Sequence, residues 1–294
     1  METYSRFLFA AVLIILCCLS SAICQSLVTG FATIEGRRVY YEVQGQGPAL
    51  VLIHGFSLDT RMWDPQFDAF AQSYRVVRYD ISGYGRSTAP DTLISSSNEL
   101  AALLKALGID KATVVGMSMG GGVAINFTLE HPEMVEALIT VGSTLGGYSM
   151  REPRATRTQR VFSLARDSGL AIAKEVWLHD PFLTPMVDTS AIRAKIRRII
   201  TDWSGIQLRN PAMARFLPIH PLAITRLEEI RVPTLAIVGE LDDPNPLAVA
   251  DTIAARVPGA KKVTIHGSGH LLNLEQPDEF NKLVLDFLRQ NMKR

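Results

Sequence analysis

The chain has 294 residues, of which 47% are hydrophobic and 20% are charged, and its formal net charge is +1. A chain of this length and composition can bury a sizeable apolar core, which excludes a disordered or fibrous protein. The small net charge gives no reason to expect nucleic-acid binding, because proteins that bind phosphate backbones usually carry a strong basic excess. We therefore expect one or two globular units and no nucleic-acid partner.

The first 24 residues differ from the rest of the chain. Arg6 is followed by an apolar run over residues 7–19 and then by small residues up to Cys24, which is the arrangement of a signal peptide cleaved before Gln25. The alternative is an uncleaved membrane anchor, although the apolar run has about 13 residues where a full span needs roughly 20. We expect a secreted or periplasmic protein, with no stable membrane insertion if this leader is cleaved. All three cysteines lie in the leader, so the mature chain would hold neither a disulfide nor a cysteine nucleophile.

Downstream of the leader, short β-branched segments alternate with amphipathic segments of helical length. Strands are predicted at 31–43, 49–53, 74–79, 112–115, 137–141, 234–238 and 262–265. Helices are predicted at 61–72, 98–107, 119–130, 246–256 and 277–290. This alternation is typical of an α/β fold in which helices cover both faces of a parallel sheet.

Residues 146–220 interrupt the alternation, because they show helical patterning without a strand. They lie between two predicted core strands, so we expect a helical cap insertion over the carboxyl edge of the sheet, where ligands bind in open α/β folds. Residues 25–145 and 221–294 then form the core. The cap insertion holds 12 basic and 6 acidic residues. Such an excess is usual on solvated helix faces, and the alternative is a preference for anionic ligands.

The stretch Gly116–Gly120, G-M-S-M-G, places a serine between a predicted strand and a predicted helix. It matches G-x-S-x-G, the pattern of a nucleophile that is held on a sharp turn at the end of a strand. The flanking glycines are needed because side chains there would strike the adjacent strand and helix. We predict that Ser118 is a nucleophile, the alternative being a serine that caps the helix.

A serine hydroxyl needs a general base to attack at neutral pH, and the base needs an orienting acid. His270 follows the last predicted strand through a glycine turn and is the expected base. The acid is expected at the end of the preceding strand, where Asp242 is preferred. Glu240 and Asp243 are expected to cap the next helix or to face solvent. The predicted triad in chain order is Ser118, Asp242 and His270.

The negative charge that develops on a carbonyl oxygen during attack needs hydrogen-bond donors. The glycine turn after the strand 49–53 can direct the Phe56 amide at the site, and the Met119 amide begins the next helix. His54, in the same turn, is expected to stabilise the loop by hydrogen bonding. An apolar substrate pocket is predicted from Met117, Trp177, Trp203 and Leu271. The alternative for both tryptophans is a place in the apolar core.

Taken together, these motifs resemble the α/β-hydrolase superfamily. The matching segments in chain order are 54–56, 79–80 with 83–87, the turn at Ser118, 239–242, and 269–270 with 273–277. The sequence is most similar to the small-cap group that holds enol-lactonases, carboxylesterases, carbon-carbon hydrolases and haloperoxidase-like enzymes. Serine at position 118 argues against dehalogenase and epoxide-hydrolase relatives, which use aspartate there. The resemblance implies a mostly parallel eight-stranded sheet flanked by helices, with a helical cap.

Two features depart from the family pattern. Ser82 stands where these relatives usually carry arginine before Gly-Tyr-Gly, so we expect a structural ion pair of the family to be absent. The segment 88–107 is about one helical turn short. Neither change removes a predicted catalytic group.

The predicted function is hydrolysis of a small carboxylic ester or lactone through an acyl-enzyme, without a metal or an organic cofactor. A carboxylate-bearing substrate such as an enol-lactone would suit the basic cap insertion. Two alternatives remain. One is a ligand-binding receptor on the same fold with slow turnover, and the other is an acyltransferase or perhydrolase, in which an alcohol or a peroxide replaces water.

Overall fold

A single sheet of eight strands organises the part of the chain that the structure describes. A computed structural model describes residues 26–186, 190–210 and 217–292. The predicted leader, residues 1–24, lies outside these ranges, so the signal peptide and the anchor both stay predictions. Within the ranges described, no helix has the length and apolar character needed to cross a membrane.

The sheet is mostly parallel. Its strands are β1 (Val28–Ile34), β2 (Arg37–Gln44), β3 (Ala49–Ile53), β4 (Arg75–Tyr79), β5 (Ala112–Met117), β6 (Val135–Val141), β7 (Thr234–Gly239) and β8 (Lys261–Ile265). Their spatial order is β1-β2-β4-β3-β5-β6-β7-β8. Only β2 runs antiparallel to its neighbours β1 and β4, whereas the strands from β4 to β8 pair in parallel. The carboxyl ends of the six strands that pair in parallel, β3 to β8, therefore lie at one edge.

Helices cover the sheet and the edge where the strands end. The core helices are α1 (Asp64–Ala71), α2 (Ser96–Ala106), α3 (Met119–Glu130), α8 (Pro244–Arg256), α9 (Leu272–Glu275) and α10 (Pro277–Asn291). The helices of the cap insertion are α4 (Arg154–Asp167), α5 (Leu170–Leu178), α6 (Ser190–Asp202) and α7 (Ile206–Arg209). Short 3-10 turns occur at Thr60–Trp63, Pro132–Met134, Ala223–Thr225 and Leu227–Glu229. The predicted α/β class, a mostly parallel eight-stranded sheet flanked by helices, is confirmed.

One predicted strand is wrong, because residues 31–43 form a hairpin rather than a single strand. Glu35 and Gly36 have φ angles of 47° and 79°, and Ile34 pairs with Arg37 across the turn. Two consecutive positive φ angles are typical of a type I′ turn, whose twist matches that of the strands it joins. Glycine at the second turn position was the available signal.

The central strands form the apolar core. Every residue of β3, β5 and β7 is buried, and these strands are rich in Val, Ile, Leu and Ala. Parallel strands covered by helices on both faces need apolar side chains on both sides, which explains their nearly continuous apolar sequence. This rigid layer supports the turns at the carboxyl edge.

Specific polar contacts attach the cap insertion to the core. Arg61, beside α1, forms an ion pair of 2.7 Å with Asp202 at the end of α6. The Gln207 side-chain amide donates a hydrogen bond of 3.0 Å to the Gly83 carbonyl. Both contacts join residues more than 100 positions apart in the chain, so the cap helices have defined positions over the strand ends.

Candidate active site

Ser118 lies on a sharp turn between β5 and α3. Its φ and ψ angles are 54° and −115°, which is a strained combination for a residue with a side chain. Hydrogen bonds with three neighbouring residues stabilise this conformation. The Ser118 amide donates to the Val141 carbonyl at 2.8 Å, and the Ser118 carbonyl accepts from the amides of Gly121 and Thr144, each at 3.0 Å, and from the Thr144 hydroxyl at 3.3 Å. The turn raises the serine out of the sheet edge, as the sequence pattern predicts.

The glycines beside Ser118 are required by close packing. A Cβ atom at Gly116 would lie 2.1 Å from the Gly120 carbonyl oxygen, and one at Gly120 would lie 2.4 Å from the Ile53 carbonyl oxygen. Both distances are far below van der Waals contact, and both partners are backbone atoms that cannot rotate away. The G-x-S-x-G pattern is therefore a consequence of how closely α3 approaches β5 and β3.

His270 and Asp242 form a buried hydrogen-bonded pair. His270 Nδ1 lies 2.9 Å from both carboxylate oxygens of Asp242. The two side chains are 5% and 0% exposed, so water does not compete for this contact. Because Nδ1 is held by the carboxylate, Nε2 is the ring nitrogen that remains available to a reacting proton.

The other two carboxylates near the end of β7 have different partners. Asp243 caps α8 by accepting from the Asn245 amide at 3.0 Å, and it forms an ion pair of 2.8 Å with Arg157. Glu240 is half-exposed and accepts from the Gly267 amide at 2.9 Å. Of these three carboxylates, Asp242 is the one that contacts His270.

A buried histidine shapes the loop after β3. His54 Nδ1 lies 2.8 Å from the Gly55 carbonyl, and the Ile81 amide donates to His54 Nε2 at 3.0 Å. Full burial lowers the pKa of His54 below its usual value, so the ring is neutral and can donate from Nδ1 while it accepts at Nε2. The predicted role of His54 as a hydrogen-bonding residue of this turn is confirmed.

Of the two residues whose amides are predicted to form an oxyanion hole, one shares a cavity with Ser118 and the other follows it in the chain. Phe56 follows β3, and it lines the same cavity as Ser118. Met119 is the first residue of α3, where backbone N–H groups have no acceptor within the helix. The helix N-terminus also favours negative charge at this position.

Ser57, the residue after Phe56, was not predicted as functional. Its φ angle is 63°, its hydroxyl donates to the Phe56 carbonyl at 2.5 Å, and it accepts from the Trp177 indole N–H at 2.7 Å. Trp177 belongs to α5, so the cap insertion is hydrogen-bonded to the loop that carries the Phe56 amide. A positive φ angle at a residue other than glycine leaves no signal in the sequence.

The first cavity at the site has an empty volume of about 270 Å³. Both Ser118 and His270 belong to its wall. Three of the four predicted pocket residues belong to this wall, Met117, Trp177 and Leu271, and Phe56 lies beside them. Trp203 lies behind them instead. Its ring packs edge-on against Phe56 with centroids 5.3 Å apart, and its indole N–H donates to Gln207 at 2.9 Å. Trp203 therefore supports the pocket from the apolar core of the cap insertion.

A second cavity of about 470 Å³ meets the first at Ser118, Arg154 and Phe182. Its remaining wall is formed by Gly142, Ser143, Thr144, Leu145, Tyr148, Met150, Asn245, Pro246 and Val249. The Phe182 ring lies edge-on to the His270 ring with centroids 4.0 Å apart. In the sequence, Arg154 is only one of the 12 basic residues of the cap insertion, and nothing distinguishes Phe182.

Within residues 26–186, 190–210 and 217–292, no group of three or more His, Cys, Asp or Glu residues could hold a metal ion. The chemistry that this site offers comes from a serine on a strained turn, a histidine with an ionic partner, and backbone amides.

The fold and this arrangement of groups define a hydrolase of the α/β type. The chain belongs to the alpha/beta hydrolase family, whose model matches residues 50–283. It is 31% identical over 268 residues to a Caulobacter sp. (strain K31) protein that is predicted to be a carbamate hydrolase, with 87% of this chain and 97% of the relative covered.

Two further relatives show the breadth of this family. A 2-hydroxy-6-oxononadienedioate/2-hydroxy-6-oxononatrienedioate hydrolase of Burkholderia vietnamiensis is 30% identical over 266 residues, which covers 86% of this chain and 91% of that protein. The crystal structure of the enol-lactonase from Burkholderia xenovorans LB400 has a TM-score of 0.73 and 26% identity, and the match covers 88% of this chain and 99% of that one. The names of these proteins describe hydrolysis of different bonds, so membership of the family establishes a hydrolase but not the bond that it cleaves.

Proposed function

We propose that this protein is a serine hydrolase that cleaves a small carboxylic ester or lactone through an acyl-enzyme. The observation that carries the proposal is the buried His270–Asp242 pair, 2.9 Å apart, whose histidine lies in the wall of the cavity that also contains Ser118. A nucleophile, a base and an orienting acid are the three groups that two-step acyl transfer requires.

In the first step, His270 Nε2 accepts the proton of the Ser118 hydroxyl while Oγ attacks the substrate carbonyl carbon. The negative charge that forms on the carbonyl oxygen is stabilised by the Phe56 and Met119 amides. His270 then donates its proton to the leaving alkoxide, and an alcohol departs. Water attacks the acyl-enzyme with His270 as the base, and the carboxylic acid leaves as Ser118 regains its proton.

The relatives support an ester or lactone as substrate. The enol-lactonase that shares this fold supports a lactone. The Burkholderia vietnamiensis relative acts on a dioate, so carbon-carbon substrates of that kind belong in the same assay.

A fluorophosphonate probe and a series of 4-nitrophenyl esters from acetate to octanoate test the proposal. In Ser118→Ala, we expect labelling to disappear and kcat/KM to fall by about ten-thousand-fold or more. Ser168→Ala is the matched control, because Ser168 follows α4 at an exposed position. Equal activity in Ser118→Ala and the wild type would refute the proposal. Labelling without turnover would favour a receptor, and ester products from added alcohols would favour an acyltransferase.

A further inference from the structure

We propose that Arg154 binds a carboxylate group of the substrate, so that this enzyme selects anionic esters or lactones over neutral ones. The inference rests on the proposed function, because it names the class of substrate that reaches Ser118. It concerns one cationic side chain that faces both cavities of the active site.

The position of Arg154 places a positive charge beside the reacting groups. Arg154 is the first residue of α4, and it belongs to the walls of both cavities, as Ser118 does. Its guanidinium carbon lies 3.4 Å from the centroid of the Phe182 ring, and the Phe182 ring in turn contacts His270. A single aromatic ring therefore separates the guanidinium from the catalytic imidazole.

The charge of Arg154 is only partly compensated by protein groups. Its side chain is 14% exposed, and burial lowers its pKa to about 10, which still leaves the group protonated at neutral pH. The hydrogen bond to its nearest carboxylate is long, at 3.5 Å from Nη1 to Asp180 Oδ1. A buried cation whose ionic contact is this long gains more from a bound anion than a well-paired surface arginine does.

The Asp180 carboxylate does not interact with Arg154 alone. It also contacts Arg157 Nε at 3.3 Å, and its Oδ1 accepts from the Phe182 amide at 3.0 Å. Arg157 has a shorter contact of 2.8 Å with Asp243. The carboxylate of Asp180 is thus shared among three donors, whereas the guanidinium of Arg154 has five N–H groups to offer.

The shape of the second cavity indicates how such a substrate would lie. Guanidinium groups bind carboxylates through a planar pair of hydrogen bonds, a geometry that lysine cannot reproduce. Leu145, Met150 and Val249 supply apolar walls in this cavity, and these would contact a short hydrocarbon chain. With the reacting carbonyl at Ser118 and the carboxylate at Arg154, the substrate would carry an anion a few carbon atoms from the bond that is cleaved.

A matched pair of substrates tests this inference. The mono-4-nitrophenyl ester of adipic acid is compared with its methyl-capped diester, which has the same chain without the charge, and release of nitrophenolate is followed for both. We expect the wild type to have the higher kcat/KM for the anionic ester. Arg154→Met should lower the ratio of the two kcat/KM values by about 10- to 100-fold, the range for losing hydrogen bonds to a charged group. For Arg154→Lys, this ratio should lie between the values of the wild type and Arg154→Met.

Arg160→Met is the matched control, because Arg160 is an exposed arginine of the same helix and is absent from the walls of both cavities. This variant should keep the wild-type ratio. A ratio that is the same in Arg154→Met and the wild type, or a wild type that prefers the neutral diester, would overturn the inference.

A measurement on the wild type avoids any effect of substitution on folding. Adipate and its diamide are compared as inhibitors of the hydrolysis of a neutral nitrophenyl ester. We expect adipate to inhibit at a concentration at least about tenfold lower than the diamide does, and equal inhibition would contradict carboxylate binding.

Ser118→Ala separates the two proposals. Turnover that survives in Ser118→Ala refutes the serine mechanism, whereas turnover that depends on Ser118 but not on the charge of the substrate refutes the role of Arg154 alone.

Discussion

The core side and the cap side of the active site are built in different ways. On the core side, Ser118, Asp242 and His270 follow three parallel strands, β5, β7 and β8, and the sheet brings the ends of these strands together. On the cap side, Arg154 and Trp177 come from two helices whose places depend on contacts with distant parts of the chain. The groups proposed for the chemistry therefore follow from sheet topology, whereas those proposed for selectivity depend on how separate helices pack.

One of the contacts between the two sides nevertheless involves the loop that carries Phe56. The Trp177 indole N–H of the cap insertion donates to Ser57 in the loop that follows β3. Ser57 in turn donates to the Phe56 carbonyl at 2.5 Å. If the core alone positions the reacting groups, breaking this connection should have little effect on turnover.

The largest expected effect is confined to the core. Asp242→Asn should lower kcat/KM by about a thousand- to ten-thousand-fold, because the amide favours the wrong tautomer of His270 and cannot stabilise its charged form. Asp243→Asn is the matched change at the next residue. Asparagine also caps helices, so this variant loses chiefly the ion pair with Arg157, and we expect less than about a tenfold change. Steady-state kinetics on one nitrophenyl ester compares them, and losses of similar size would refute the assignment of Asp242.

An intermediate effect should arise where the cap meets the core. Trp177→Phe removes the N–H that binds Ser57 but keeps an aromatic ring in the pocket wall. We expect kcat to fall by about three- to tenfold, as for one hydrogen bond, with a smaller change in KM. Trp203→Phe removes an indole N–H that binds Gln207 within the cap insertion, and its effect on kcat should be smaller. A change in KM alone for Trp177→Phe would mean that Trp177 only shapes the pocket.

The smallest expected effect concerns a buried carboxylate of the core. Glu99 in α2 accepts a hydrogen bond of 3.1 Å from the Ser82 amide, at the position where relatives were expected to carry an arginine. Burial raises the pKa of Glu99. In the cap insertion, by contrast, Asp180 contacts two arginines. We therefore expect ionised Glu99 to destabilise the fold more than ionised Asp180 does.

The pH dependence of Glu99→Gln gives the sign of this effect. Because the folded protein binds the Glu99 proton more tightly than the unfolded chain does, ionised Glu99 destabilises the fold at neutral and higher pH. Glu99→Gln should raise the free energy of unfolding by up to about 1 kcal/mol at pH 8. The gain should shrink as the pH falls towards the unfolded value, about 4.3. Thermal unfolding across this pH range measures the gain in the free energy of unfolding. Glu133→Gln, at an exposed position, is the control. A gain that is independent of pH would exclude ionisation as its cause.

The sequence predicted most of the core side. Asp242 could be preferred to Asp243 because the first ends a strand and the second precedes a proline. The turn at Ser118 could be predicted because its glycines have a local steric cause. The hairpin at Glu35 was missed because β-branched and aromatic residues occur on both sides of a two-residue turn.

The cap side was predicted less well, for a different reason. Arg154 and Arg160 belong to one helix and both fit its basic pattern, but the first faces the active site and the second faces solvent. Trp177 and Trp203 were predicted to have the same role, but only the first reaches the cavity wall beside Ser118. In each pair the residue types are identical, so composition and spacing could not distinguish them.

By itself, the sequence determined the alternation of strands and helices, the order of Ser118, Asp242 and His270, and the turns that carry them, because each depends on local backbone geometry or on parallel strand pairing. Only the tertiary structure decided which cap side chains face Ser118, how Trp177 reaches Ser57, and that Arg154 is buried beside Phe182. These features depend on the packing of helices that are distant in the chain, and packing is set by the shapes of all the surfaces that meet.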